Sequence, residues 1–444
     1  MTRTDPAASI ETVTGWGRHD PVAMQVVRPE TRDELATRTV AGSHLTPRGL
    51  GRSYGDAAQH TDGTAVVTTA CRRIEWLDRS SGLLRADAGV TIGDLIATGV
   101  PVGFFVPVSP GTRNVTVGGA IAADIHGKNH HVDGSFGQHV ERLTLRLADD
   151  SLVDCSPTVE AALFWATVGG MGLTGVIVDA DIRMAPVSSS TISVETSRHE
   201  TLDELMEIMR ASDASHDFSV AWVDLLTRGR SVLTQGGFAD AAEVAAHPAG
   251  PLRRPGTPSA PLPPLPPVRW VQRPFVKAFN ELWFRKAPAE QTTTHESITA
   301  FFHPLDAIRD WNRLYGSTGF VQWQCVVESD DALRSICADF ASQPAFFSVL
   351  KRFGPGNSAP LSFPAPGWTL AVDLPATPQV FAALESFDEQ VVAASGRLYL
   401  AKDARMSRAT FEAGYPRLDE WKQVRSSVDP GRRFTSDLAE RLGL

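Results

Sequence analysis

Asp124, His126, Lys128, Asn129, His130 and His131 fall within eight residues, at the end of a run of small side chains. That run begins Pro110-Gly-Thr-Arg-Asn-Val-Thr-Val-Gly-Gly-Ala-Ile-Ala-Ala. Small residues let a flat ligand lie close against backbone. Two chemistries are open to the polar cluster. His126 and His130 are four residues apart and would share a helix face, so with His131 they could hold a metal. Gly127 and the glycines before it argue against a helix, and no Cys or Glu completes the set. The other reading is a polar pocket against a cofactor, with His126 and Lys128 turned to phosphate or substrate oxygens.

A second glycine-rich stretch stands earlier, Pro47-Arg-Gly-Leu-Gly-Arg-Ser-Tyr-Gly-Asp56. Backbone N–H groups clustered in such a loop form a nest for an anion such as a pyrophosphate. The spacing is not a dinucleotide-binding Rossmann fingerprint, because Tyr54 stands where the third glycine belongs. No Gly-Lys-Ser/Thr follows, so it is not a Walker loop either. An ordinary glycine-rich turn is the alternative. A third glycine cluster, at 169–175, precedes the apolar run Val176-Ile-Val-Asp-Ala.

Short elements surround these loops. Thr31-Arg-Asp-Glu34 reads as a capping box opening a helix. Thr91-Ile-Gly-Asp94 is a weaker version. Ala65-Val-Val-Thr-Thr, Leu84-Arg-Ala-Asp-Ala and Leu143-Thr-Leu-Arg-Leu read as strands. Residues 101–140 promise few regular elements. Thr201-Leu-Asp-Glu204 caps another helix. Nine prolines between Pro248 and Pro267 exclude a helix or a central strand, leaving a mobile loop or extended polyproline segment. No internal repeat is evident.

The bulk properties narrow the class. A chain of 444 residues suits two or three domains at about 150 residues each. A net charge of −9 gives no basic field for nucleic acid. Cys71, Cys155, Cys325 and Cys337 are too scattered for a zinc ribbon or a disulfide scaffold, and read as isolated buried thiols. The first residues lack the apolar core of a signal peptide. No run of about 18 apolar residues could cross a membrane, so membrane contact would be peripheral.

Taken together, the three glycine-rich segments resemble the FAD domain of the vanillyl-alcohol-oxidase superfamily. The run Gly118-Gly-Ala-Ile-Ala-Ala-Asp-Ile-His-Gly-Lys-Asn-His-His131 with Gly134-Ser-Phe-Gly137 closely resembles one family within it, the decaprenylphosphoryl-ribose oxidases. Phe320-Val-Gln-Trp-Gln324, Leu350-Lys-Arg-Phe-Gly-Pro-Gly-Asn357, Leu400-Ala-Lys-Asp-Ala-Arg405 and Tyr415-Pro-Arg-Leu-Asp-Glu-Trp421 agree, so the resemblance covers nearly the whole chain.

The resemblance implies an α+β, two-domain flavoprotein. A PCMH-type FAD-binding domain would span 1–190. An antiparallel-sheet substrate domain would span 191–396, with a mobile proline-rich loop at about 245–290. Residues 397–444 would return to the FAD domain. FAD would lie on Arg48, Gly49, Leu50, Gly51, Arg52, Ser53, Tyr54 and Gly55. It would also touch Pro110, Gly111, Thr112, Val115, Gly118, Gly119, Ala122, Ala123, Ile125, His126, Gly127 and Asn129, with Gly172, Ile177 and Tyr415. Relatives with covalent flavin carry a His about where Arg52 stands, so FAD would be held non-covalently.

The implied reaction is oxidation of the ribose 2'-hydroxyl of a polyprenyl-phosphoryl ribose. An NAD(P)H-dependent ketoreductase would then complete an epimerisation to the arabinose donor of cell-wall arabinan. Lys402 matches the family's essential lysine. Desolvated beside a flavin it could act as the base; charged, it could orient substrate or flavin. His126 would share the catalytic site. Tyr54, Lys128, Gln322, Gln324 and Lys351 match pocket positions, Lys128 and Lys351 being candidates for the substrate phosphate. Gln322 and Gln324 alternate on one strand face, although ordinary sheet-surface polarity is open too. Trp222 and Phe353 would supply apolar wall or core.

The stretch 268–286 has Phe275, Phe279 and Trp283 every four residues, with five cations around one acid. It suits an anionic membrane surface, or a helix packed on its own domain. Family members are membrane-associated, at the cytoplasmic or periplasmic face of the inner membrane. A soluble sugar or aldonolactone oxidase, and a scaffold without flavin, are the competing readings.

Three positions depart from the family. Phe302 replaces a pocket tyrosine, Thr369 an asparagine, and Ala371 a cysteine. Thiol-reactive inhibitors that modify that cysteine should therefore leave no adduct on this protein. A mass increase on the treated intact chain would contradict this.

Overall fold

The structure, a computed structural model, describes residues 9–37, 40, 44–227, 229–244, 251–256, 259–262 and 271–444. Its architecture is α+β, with two smaller sheets formed by the first part of the chain and one large antiparallel sheet after them.

In the first sheet, Thr64–Val67 is buried along its whole length and pairs in parallel with Val22–Val27 and Leu45–Arg48. A continuous apolar run is what a strand covered on both faces requires. Leu45–Arg48 is one of the two edge strands, and the first glycine loop leaves from its end. In the second sheet, Val176–Arg183 is central, between Leu83–Asp87 and Val140–Arg146. The third glycine cluster thus leads into a core strand.

The segment 101–140 is more regular than its composition suggests. Val117–Ala122 is a helix whose N-cap Thr116 accepts from the Gly119 N–H at 3.2 Å. Gly118 sits against Ala88, where a Cβ would approach the alanine methyl to 3.2 Å. Close packing on a strand end outweighs the helix cost of glycine. His130–Asp133 is a second short helix, and His126 lies outside both. The Thr91 box is complete: Asp94 accepts from the Thr91 N–H, and Thr91 accepts from the Asp94 N–H.

Asp124 joins the two halves of the molecule. Fully buried at a positive φ of 41°, it accepts from Ser135, the Gly137 N–H, Asn357 and Ser362 at 2.5–2.9 Å. Burial pushes its carboxyl up, and the four donors oppose this.

The large sheet has eight strands, ordered Thr292–Ser297, Thr191–His199, Arg230–Phe238, Phe218–Asp224, Ser348–Phe353, Gly367–Pro375, Phe320–Val327 and Arg397–Leu398. Half of the proline-rich run 248–267 falls outside the described residues. Within it, Ala260–Pro261 pairs in parallel with Ile308–Arg309. The expected loop at 245–290 contains a 14-residue helix, Arg273–Lys286, with Pro274 in its first turn, where a missing N–H is tolerated.

The C-terminal residues pack back on the N-terminal ones. Phe434 bridges Leu45, Trp421 donates to the Ala166 carbonyl at 2.8 Å, and Arg441 pairs with Asp56 at 2.9 Å.

Candidate active site

A cleft of about 310 Å3 runs between the glycine loops and the large sheet. One wall is Pro47 to Tyr54, Pro110 to Thr112, Val115, Gly118, Gly119, Ala122, Ala123, Ile125, Gly172 and Ile177. The other is Gln322, Gln324, Lys351 and Ala371 from three adjacent strands, with His126 and Lys402 at the junction.

The first wall fits a dinucleotide cofactor. At Gly49 a Cβ would meet Thr116 Oγ1 at 2.3 Å; at Gly51, with φ +64°, it would strike Arg48. A Cβ at Gly111 would meet nothing within 4 Å, so backbone there faces open cleft. Arg48 donates to the carbonyls of Ala58 and Thr14 at 2.6 and 2.7 Å, and among the described residues no carboxylate pairs with it. Burial pushes its guanidinium down to about 10. A cation so placed lacks a counter-charge, which the phosphates of FAD would supply. Arg52 lies 3.9 Å from the Trp16 ring centroid and is pushed down by burial against the opposing pull of Asp306.

The junction carries the titratable groups. Lys402 Nζ lies 3.8 Å from the centroid of the Tyr54 ring. Burial pushes it down to about 7, while Asp373 pulls it up and Lys351 pushes it further down. Asp373 is itself raised to about 7 by burial, and accepts from Gln322 Nε2 at 2.5 Å across the strand pair. The two are close enough to titrate as a pair. His126 sits in an aromatic box, with ring centroids 4.8 Å from Phe353, 5.7 Å from Phe363 and 5.3 Å from Tyr399. Its Nδ1 is 3.2 Å from Lys351 Nζ and its Nε2 is 3.1 Å from Gln324 Nε2. Burial, then the charges of Lys351, His130 and Lys402, hold the ring well below its ordinary pKa. Lys351 is pushed down to about 8 by burial.

Some predicted residues lie elsewhere. Lys128 is turned from the cleft: Nζ donates to the Phe301 carbonyl at 2.5 Å and lies 4.0 Å from that ring's centroid. Trp222 packs with Val232 and Phe284. Phe353 lies behind His126, and Thr369 behind Gln324 at 3.0 Å. Gly55 abuts the Asp403 carbonyl, and Gly127 is wedged between Asn129 and Ser109. Asn129 donates to the Pro107 carbonyl and to Asp133 at 2.7 Å. Tyr415 donates to the Leu398 carbonyl. The histidines diverge, His130 accepting from the Gly354 N–H and His131 meeting the His216 carbonyl. Phe302 is core, against Phe105 and Phe218.

Other cleft residues gave no sequence signal: Trp16, Asp306, Trp311, Phe347 and Tyr399. Asp373 could have been found only from the strand register that sets it opposite Gln322.

Comparison with known proteins agrees with this geometry. Residues 23–156 match the FAD binding domain family, and residues 374–442 match the D-arabinono-1,4-lactone oxidase family. The protein is an FAD-dependent oxidoreductase. The chain is 39% identical to decaprenylphosphoryl-β-D-ribose oxidase of Mycolicibacterium smegmatis, over all of both chains. It is 28% identical to mouse L-gulonolactone oxidase over 40% of this chain and 39% of that one. The chain therefore belongs to the decaprenylphosphoryl-β-D-ribose oxidase family.

Arg48→Leu should weaken FAD binding about tenfold or more, as losing about 1.4 kcal/mol does. Flavin content after purification and a fluorescence titration of the apoprotein would check this. Unchanged affinity would remove Arg48 from the phosphate site.

Proposed function

We propose that this protein oxidises the ribose 2'-hydroxyl of decaprenylphosphoryl-β-D-ribose to the 2'-ketone. The observation that carries this reading is Lys402, desolvated in the cleft beside the wall that fits FAD. Bound FAD supplies the ring that accepts hydride from the C2' carbon. Lys402 in its neutral form takes the hydroxyl proton. Asp373 tunes that lysine and anchors Gln322, which lines the cleft. Gln324 and Ala371 flank the sugar. Lys351 meets the substrate phosphate; Lys128, tied to Phe301, takes no direct part. With Ala371 in place of the family cysteine this wall is smaller at one position, and Thr369, behind Gln324, offers it a hydroxyl where the family has an amide. FAD is non-covalent, since Arg52 stands at the position of the linking histidine. We take residues 1–190 and 397–444 as the FAD-binding unit, and 191–396 as the substrate unit.

Anaerobic addition of a short-chain polyprenyl-phosphoryl ribose should bleach the flavin rapidly. Lys402→Ala, with FAD still bound, should lose at least about a hundredfold in that rate, within the usual contribution of a general base. The rate should rise with pH through about 7, because the neutral lysine is the active form. In Asp373→Asn the limb should move to lower pH, since the group that pulls Lys402 up is gone. Bleaching by a free aldonolactone but not by the lipid would favour the soluble-oxidase alternative. Formation of one ketone per FAD, not reduced further by the purified protein, would support a separate NAD(P)H-dependent reductase as the next step.

Membrane contact fits the same substrate. On helix Arg273–Lys286, Phe275, Leu282 and Trp283 are 52%, 70% and 43% exposed. Phe275, Phe279 and Trp283 stack in a row at 6.5 and 6.1 Å. Lys277, Arg285 and Lys286 are exposed around them. No described helix is long and apolar enough to cross a membrane. The protein should float with anionic liposomes. Phe275→Ser/Trp283→Ser should lose most of that binding; equal flotation would discard this surface.

A further inference from the structure

The hydrogens around His126 do not balance if both neighbours donate to it. A neutral imidazole carries one N–H, so one nitrogen donates and the other accepts. Lys351 Nζ lies 3.2 Å from Nδ1, and the Gln324 amide lies 3.1 Å from Nε2. A charged Lys351 has only hydrogens to give, so Nδ1 must accept. Nε2 then carries the proton and needs an acceptor. Gln324 supplies one if its amide makes a half-turn, placing Oε1 toward His126 and NH2 at the opposite end. Thr369 Oγ1, 3.0 Å from the same end of Gln324, suits either orientation, because a hydroxyl donates or accepts. With Lys351 neutral, Nζ can accept from an Nδ1–H, and the amide is free to turn back.

We propose that His126 is a positioning residue whose tautomer reports the charge on Lys351 and decides which end of the Gln324 amide faces the substrate. The inference rests on the reading above, in which Lys351 meets the substrate phosphate. An anion beside Lys351 holds its proton. The Nε2–H tautomer follows, and the Gln324 NH2 group then faces the cleft as a donor to a sugar oxygen. Above about pH 8, where Lys351 alone loses its proton, a sugar lacking phosphate would leave the amide unset.

The surroundings of Lys351 make its charge responsive. The titratable groups that interact with it are His126, His130, Lys128 and Lys402, and among the described residues no carboxylate pairs with it. Burial alone pushes it down to about 8. His126 itself stays neutral, because burial and these same charges disfavour a second proton.

The test is nitrogen NMR of the holoenzyme with 15N-labelled histidine, the His126 signals being assigned by their loss in His126→Gln. Spectra would be taken from about pH 6 to about 9, across the range in which Lys351 changes charge. The expected result is Nε2 protonated at the low end, with the Nδ1–H form appearing as the pH rises. Short-chain polyprenyl phosphate, which lacks the sugar and cannot react, should move that midpoint up by about one pH unit. Lys351→Arg, charged throughout, and Gln324→Glu, an acceptor only, should both hold Nε2–H at every pH.

An Nδ1–H ring at the low end, a doubly protonated ring, or identical titration of wild type and Lys351→Arg would overturn the proposal. A midpoint unmoved by polyprenyl phosphate would overturn its link to the substrate. None of these readings needs turnover. Flavin bleaching with the wrong tautomer would therefore sink the relay alone, and a correct tautomer without bleaching would sink the substrate reading.

Discussion

Four cations, Arg48, Arg52, Lys351 and Lys402, share one cleft, and burial pushes every one of them down. Taking a charge out of water is costly, and the cost is met either by an opposite charge or by losing the charge. Both answers occur here, and their division along the cleft gives each wall its chemistry. On the glycine-loop wall the arginines cannot lose their protons; Asp306 and Asp310 offset the charge of Arg52, and Arg48 has no such carboxylate among the described residues. On the sheet wall the lysines titrate, and Lys402 approaches neutrality. Asp373 is the carboxylate that moderates Lys402, and it is itself raised by burial.

The fold keeps this arrangement closed to relaxation. Gln322 and Gln324 project from one strand of the large sheet, opposite Asp373 and Ala371 on the next, so their spacing is that of the pleat. Lys351 lies on the neighbouring strand, in register with Thr369. Asp124 helps to hold the glycine loops against them by tying the segment before His126 to residues 357 and 362. Tyr399 adds a second tie, donating to the Ala123 carbonyl at 2.7 Å. These are hydrogen bonds to buried, fully engaged partners, which resist rearrangement better than exposed ion pairs do.

Much of the glycine-loop wall of the cleft was legible in the sequence. Gly49, Gly51, Gly111, Gly118 and Gly119 sit where a side chain would crowd a neighbour or enter the open cleft, and glycine clusters announce such places. The alternation of Gln322 and Gln324 was legible as well. Regular structure in 101–140 was not, because the glycines of Val117–Ala122 are there for packing and defeat helix propensity. Lys128 misled for a related reason. Its position in the motif is next to the site, but a local turn sends its ammonium to Phe301.

The sequence by itself offered glycine-rich loops suited to an anion, a cluster of polar residues after them and polar residues in alternation on a strand; the dinucleotide and the role of Lys402 came with the family resemblance. The loops, the cluster and the alternation follow from residue type and short-range spacing, which the chain carries without folding. Only the tertiary structure decided which groups meet. His126 reaches Lys351 across 225 positions, and Gln322 reaches Asp373 across 51. Such contacts depend on strand order and register, which many residues set together and no single motif encodes. The same holds for the depressed charge states, because desolvation is a property of what surrounds a group rather than of the group.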